Sequence, residues 1–295
     1  MTVWGPRQDS VKHLFIWPAF LVVLVVSLFP LIYAFTVSFQ SVRIVPPMPV
    51  RFVGLDNYAE IATSGRFWGS IWTTALITFV SVFFQYVLGF ALALALHHNV
   101  RGAALYRVAF LLPMFLAPVG VALIARMIFH PFLGPVNDAM VAMGLGYVPF
   151  LTEKWPAISV LAVIDIWQWT PFVTLLMLAG LQSLPQDVFE AARIDDIGIW
   201  RRFWGITFPM LLPLSVAVVF IRLIEGFKIM DTAFVLTGGG PGTATETLTL
   251  FAYNEGFKKF NLGLTSALSF MFLFVVIIFS TIYLAAAHRM TRRYA

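Results

Sequence analysis

Residues 14–39 read Leu14-Phe15-Ile16-Trp17-Pro18-Ala19-Phe20-Leu21-Val22-Val23-Leu24-Val25-Val26-Ser27-Leu28-Phe29-Pro30-Leu31-Ile32-Tyr33-Ala34-Phe35-Thr36-Val37-Ser38-Phe39, with no charge anywhere in the run. A hydrocarbon core needs roughly 20 such residues in a helix, since it is about 30 Å thick and each residue rises about 1.5 Å. The run is too long for the apolar region of a signal peptide and no small-residue cleavage site follows it, so it reads as an uncleaved span. Five further apolar stretches are also close to or above that length: Ser70 to Leu96, Tyr106 to Phe129, Ala157 to Leu181, Thr207 to Thr232 and Leu262 to Ala287. The whole chain agrees with them. Of its 295 residues 60% are hydrophobic and 11% charged, where a soluble domain has about 25% charged residues. The expected fold class is an all-α membrane protein with six transmembrane helices, because helices satisfy their own backbone hydrogen bonds in lipid and an open sheet does not.

There are no cysteines, which excludes disulfides, thiolate metal sites and cysteine nucleophiles. Of the five histidines, His97 and His98 are adjacent and point about 100° apart on a helix, so they do not converge on one ion. The net charge of +5 takes its meaning from position. Segments 1–13, 97–107, 182–206 and 288–295 hold ten Lys and Arg in 57 residues, against six in 86 residues for 40–69, 130–156 and 233–261. Cytoplasmic loops retain basic residues, so both termini are expected in the cytoplasm. That gives a cytoplasmic segment 1–13, one membrane domain over 14–287 and a tail over 288–295. Pro46, Pro47 and Pro49 break helix in the first external loop, and Phe52 to Ile61 suggests a short helix on the bundle. Pro113, Pro118 and Pro171 fall inside spans and predict kinks. No internal repeat is visible, although many secondary transporters have one.

The connection between the fourth and fifth stretches reads Leu184-Pro185-Gln186-Asp187-Val188-Phe189-Glu190-Ala191-Ala192-Arg193-Ile194-Asp195-Asp196-Ile197-Gly198-Ile199-Trp200-Arg201-Arg202-Phe203-Trp204-Gly205-Ile206-Thr207-Phe208-Pro209. Pro185 followed by Asp187 and Glu190 is a good helix start. Val188, Ala191, Ala192 and Ile194 or Asp195 then place a small smooth face on one side, and Gly198, Arg201 and Arg202 end the helix. On spacing alone, a helix resting on anionic lipid fits as well as one that another protein approaches. The stretch resembles the EAA loop of ABC importer permeases. Glu190-Ala191-Ala192, Asp195, Ile206 and Pro209 match that pattern, while Asp196 stands where the family usually has glycine and Phe208 where it has leucine. The resemblance implies the six-helix type I importer fold, with Glu190, Ala191, Ala192, Asp195 and Gly198 as residues of a helix that couples to a cytosolic ATPase.

Thr237-Gly238-Gly239-Gly240-Pro241-Gly242 resembles the Thr-X-Gly-Gly-Pro segment of permeases of the maltose and glycerol-3-phosphate class. No Lys-Ser or Lys-Thr follows the glycines, so a phosphate cradle is not implied. The expectation is an irregular external loop that meets a solute-binding protein or closes the cavity.

Within the spans, Arg222, Glu225, Lys228 and Asp231 recur every three positions with alternating sign. They fit a self-neutralising ladder, with Arg222 and Glu225 deepest, and equally a cavity wall. Asp165, Gln168, Trp169 and Phe172 share one helical face and combine carboxylate, amide and aromatic groups suited to a sugar. By resemblance to the maltose system's larger subunit, solute contacts fall on Asp165, Gln168, Trp169, Phe172, Arg222, Gly226 and Ile229, with side chains that differ and imply a different solute. Arg222 leaves an anionic solute open, with Glu225 as its possible neutraliser. The implied partners are a second, different permease, two copies of an ABC ATPase that bind ATP and Mg, a periplasmic binding protein, a sugar-like solute and membrane lipid, with no nucleic acid and no cofactor in this chain. An ion-coupled secondary transporter using Asp165 or Glu225 is the alternative, and a membrane enzyme lacks a supporting His, Cys or Ser constellation.

Overall fold

The computed structural model describes residues 7–97 and 108–291, with side chains from 16 to 290. The rest of the termini and most of the connection 97–107, with several of the basic residues that set the expected orientation, lie outside the described residues. Among the described residues five helices are long and apolar enough to cross a membrane: Ile16–Ser38, Gly65–His97, Lys154–Gln182, Ile199–Phe227 and Leu262–Met290. A bent pair, Val108–Phe115 and Pro118–Ile128, supplies a sixth candidate. The chain divides into two compact units, one of residues 1–63 and 252–273, the other of 64–251 and 274–295.

The first unit begins with α1 (Arg7–Ser38), whose Val22, Val26 and Phe29 are more than half exposed and suited to lipid. Two-residue strands follow, β1 (Gln40–Ser41) and β2 (Arg51–Phe52), paired antiparallel with Gln40 opposite Phe52. The ribbon was not legible in the sequence, because two residues leave no alternation to read. Next comes α2 (Asp56–Thr63), starting a turn later than expected because Phe52 is held in the ribbon. The last carbonyls of a helix lack partners within it, and here α2 supplies one. Asn57 Nδ2 donates to Ser38 O at 2.8 Å and to Gln40 O at 3.0 Å, while the Ser38 and Tyr58 hydroxyls meet at 2.7 Å.

The second unit holds α3 (Gly65–His97), α4 (Val108–Phe115), α5 (Pro118–Ile128), α6 (Pro135–Ala142), α7 (Lys154–Gln182), α8 (Gln186–Ile194), α9 (Ile199–Arg202), α10 (Phe208–Phe227) and α11 (Asp231–Leu236). Two more helices, α12 (Leu248–Tyr253) and α13 (Leu262–Thr291), are shared between the units. Lipid gives no hydrophobic drive between helices, so close approach of small residues has to hold them. Along α3 the buried residues Ser70, Thr74, Thr78, Ser81, Gln85 and Gly89 form such a face. A Cβ on Gly89 would stand 2.7 Å from Val173 Cβ, which shows how closely α3 meets α7. Phe90, Ala93 and Leu96 of α3, Val173, Met177, Leu178 and Leu181 of α7, and Leu211 and Val218 of α10 form the apolar core.

Two expected spans are corrected. The third is broken, not merely kinked. Its two helices meet at 99°, with Pro118 in the first turn of α5, where its missing N–H costs nothing. The Leu116 carbonyl at the break accepts from Gln168 Nε2 at 2.9 Å, as the lack of water in lipid demands. The fifth span enters earlier and ends earlier than Thr207 to Thr232. It runs from Ile199 through a π turn at Phe203–Thr207 into α10, which stops at Phe227. Arg201 and Arg202 therefore open this span and do not terminate the preceding helix.

Candidate functional site

Three helices of the second unit bring three polar side chains together: Gln85 from α3, Asp165 from α7 and Arg222 from α10, exposed by 0%, 9% and 2%. A lone charge at the centre of a bilayer costs about 2.5–3.5 kcal/mol on insertion scales, so Arg222 requires compensation. Its Nη2 lies 3.5 Å from Asp165 Oδ2, long for a direct ion pair, and Gln85 closes the gap. Arg222 Nε donates to Gln85 Oε1 at 2.9 Å, and Gln85 Nε2 donates to Asp165 Oδ2 at 2.7 Å and to the Asp165 carbonyl at 3.0 Å. The guanidinium only donates and the carboxylate only accepts, which fixes the amide's orientation. The Arg222 guanidinium also lies 4.7 Å from the centre of the half-buried Trp169 ring, a cation–π distance.

This arrangement corrects the expected ladder. Arg222 pairs across helices with Asp165, because α10 turns it toward α7. Glu225 pairs with Lys228 at 2.7 Å, with both side chains about half exposed. Lys228 already lies beyond the end of α10, and Asp231 starts a separate helix with its carboxylate in the first turn. The other proposed cavity residues divide by exposure. Trp169, Phe172 and Ile229 are half-buried and Glu225 is exposed, whereas Asp165, Gln168, Arg222 and Gly226 are buried. Gln168 is engaged by the break in the third span, and a Cβ on Gly226 would stand 2.6 Å from Thr78 Cγ2. Gln85 was missed. Its signal was an amide inside Phe83-Phe84-Gln85-Tyr86, in register with Ser70, Thr74, Thr78 and Ser81.

The loop after α7 forms α8, and its end explains the departure at Asp196. Asp196 N donates to Arg193 O at 3.1 Å and Ile197 N to Ala192 O at 3.0 Å, the paired bonds of a Schellman motif. The motif needs a left-handed residue between them, and Asp196 takes φ 51°. Aspartate is among the few non-glycine residues that adopt this region readily. Glu190, Ala191, Asp195 and Gly198 are exposed, but Ala192 is buried and Val188 half-buried. The outward face is therefore not the smooth Val188–Ala191–Ala192 strip expected; it carries Glu190, Ala191 and Ile194, the last 85% exposed. Gly198 caps α9.

On the far side of α10, the glycine-rich loop is built, not slack. Gly238 and Gly239 take φ 65° and 95°, values that side chains avoid. The hydroxyls of Thr237 and Thr245 meet at 2.6 Å and Thr245 donates to Gly240 O at 2.7 Å. Glu246, buried, receives Arg66 through both its oxygens at 2.6 Å, tying the loop to the start of α3.

The family described as binding-protein-dependent transport system inner membrane component matches residues 85–294. A trehalose/maltose transport system permease of Thermococcus litoralis is 34% identical over 279 residues, covering 94% of this chain and 94% of the relative. A sulfoquinovosyl glycerol transport system permease of Agrobacterium fabrum is 31% identical, covering 90% of this chain and 87% of the relative. Among solved structures, a bacterial alginate ABC transporter in complex with an alginate-bound periplasmic protein superposes with a TM-score of 0.85 at 20% identity. That match covers 97% of this chain and 96% of the other, and at this identity the likeness speaks for the type I importer fold alone.

Proposed function

Because the chain belongs to the family of binding-protein-dependent transport system inner membrane components, we propose that it passes an uncharged, hydroxyl-rich sugar along the Trp169 face of an ATP-driven importer. It is a multi-pass inner-membrane permease subunit of a sugar ABC importer and not itself an enzyme. The ion-coupled alternative finds no support among the matches.

One observation carries the choice of an uncharged solute: Arg222, the cation beside Trp169, is already compensated inside the chain, and so is Lys228 at the end of α10. Arg222 faces Asp165 through Gln85, and Lys228 holds Glu225. The half-site offers no net charge to an anion. What it offers is the Trp169 ring, braced by Arg222 and partly exposed, and an aromatic face suits the C–H surface of a sugar ring.

A periplasmic binding protein delivers the solute to the outer loops. Two cytosolic ATPases close on ATP and Mg and draw on α8 of this chain, through Glu190, Ala191, Asp195 and Gly198, and on the matching helix of a different sister permease. Both termini lie in the cytoplasm. ATP acts by favouring one of two membrane conformations, each selected by differential contacts. The test is competition for uptake in cells expressing the complete importer: neutral disaccharides against their phosphorylated and sulfonated counterparts, in wild type and in Trp169→Leu. Competition by neutral sugars that weakens in the variant supports the reading; selective competition by the anions overturns it.

A further inference from the structure

Beneath α8, where α3 and α7 end and the fifth span begins, lies a cavity of about 500 Å³. Leu94, Leu181 and Phe203 form part of its apolar wall, and Arg193, Arg202 and Glu190 also line it. Its three acidic and guanidinium groups sum to one positive charge. Among the described residues neither arginine takes part in an ion pair, and neither guanidinium group has a hydrogen-bond partner. The cavity also has a definite depth. It sits at the ends of membrane-crossing helices, beside Trp200 and Trp204, which are 77% and 60% exposed. Exposed tryptophans at helix ends mark the headgroup layer of a bilayer.

Two unpaired guanidinium groups over an apolar floor match a phosphodiester carried on acyl chains. Arginine's planar fork binds phosphate oxygens at two points, and basic pockets between helices on the cytoplasmic side are where anionic headgroups are held. A free phosphate would leave the apolar wall without a partner. We infer that this cavity holds the headgroup of an anionic phospholipid of the inner leaflet, which steadies the end of α8 by joining Arg193 to Arg202 at the start of the next span. The inference rests on the reading of α8 as the cytoplasmic coupling helix, and adds that coupling depends on lipid charge through these two arginines.

The importer, purified through a tag on this chain and stripped of lipid, is titrated with phosphatidylglycerol, phosphatidylcholine or inorganic phosphate, with bound lipid read by native mass spectrometry. In parallel it is reconstituted in phosphatidylcholine vesicles with and without phosphatidylglycerol, and solute-stimulated ATP hydrolysis is measured. Expected is a preference for phosphatidylglycerol of about tenfold, or about 1.4 kcal/mol, abolished in R193Q/R202Q. Phosphatidylglycerol should stimulate hydrolysis in wild type and in R201Q, whose arginine does not line the cavity, but not in the double variant. Equal retention of the two lipids, stimulation unchanged in the double variant, or displacement of lipid by inorganic phosphate would overturn the inference. So would loss of the ATPase from the double variant in every lipid, which would assign the arginines to ATPase docking. A wild-type complex without any ATPase would refute the coupling reading itself and is seen before lipid is added.

Discussion

The buried centre makes a strong prediction about paired substitutions. Asp165→Asn keeps the shape and an acceptor for Gln85 but leaves Arg222 without a countercharge at 2% exposure. Arg222→Met keeps the volume of the stem but strands Asp165. Breaking a buried pair from one side costs about 3–5 kcal/mol, whereas replacing both partners by uncharged groups is often neutral. Each single variant should therefore lose about 3 kcal/mol or more, and D165N/R222M should recover most of it. The direct distance of 3.5 Å does not weaken this, because Gln85 transmits the interaction through bonds of 2.9 and 2.7 Å. At about 2–4 °C per kcal/mol for domains of somewhat smaller size, each single variant should lower the apparent melting temperature of the purified importer by about 6 °C or more. The double variant should fall well short of the sum. Strict additivity, with the double variant losing what the singles lose together, would show that the two side chains do not interact and would refute the reasoning.

Other substitutions test the remaining geometry. Asp196→Gly should preserve or tighten the end of α8, while Asp196→Val, forced to φ 51°, should cost about 1–2 kcal/mol; ATPase retained on purification measures both. Gly89→Val would drive a side chain into Val173 and the Thr170 carbonyl and should destabilise by about 1–3 kcal/mol, seen as a lower melting temperature, whereas Gly198→Ala, with open space around it, should not change that temperature. Gln168→Leu should leave the Leu116 carbonyl unpaired at the break in the third span and cost about 1–3 kcal/mol, seen as a lower melting temperature of the purified importer.

Much of the fold was legible because a membrane imposes a simple rule: long apolar runs become helices, and the described membrane-crossing helices fall on the expected runs. The misses share a cause. Run length cannot show where a helix breaks when both sides of the break stay apolar, so Leu116 and Phe227 were passed over. In the site, the sequence exposed the charged residues but not their pairing. Spacing along one helix favoured Arg222 with Glu225, while the true partner, Asp165, is 57 positions away. Gln85 escaped because an amide carries no charge to count, although it is the residue that connects the other two. At α8 the helix and its exposed Glu190 were readable, but which small residues face inward depends on the packing of Ala192 against the bundle.

The most direct test of the central claim is to purify the tagged chain from its native membrane in mild detergent, identify what accompanies it, and repeat the purification with Glu190→Lys. The account predicts that a second permease and a cytosolic ATPase come with the wild type, and that the variant loses the ATPase or its solute-stimulated hydrolysis. A chain that purifies alone and still transports would contradict it.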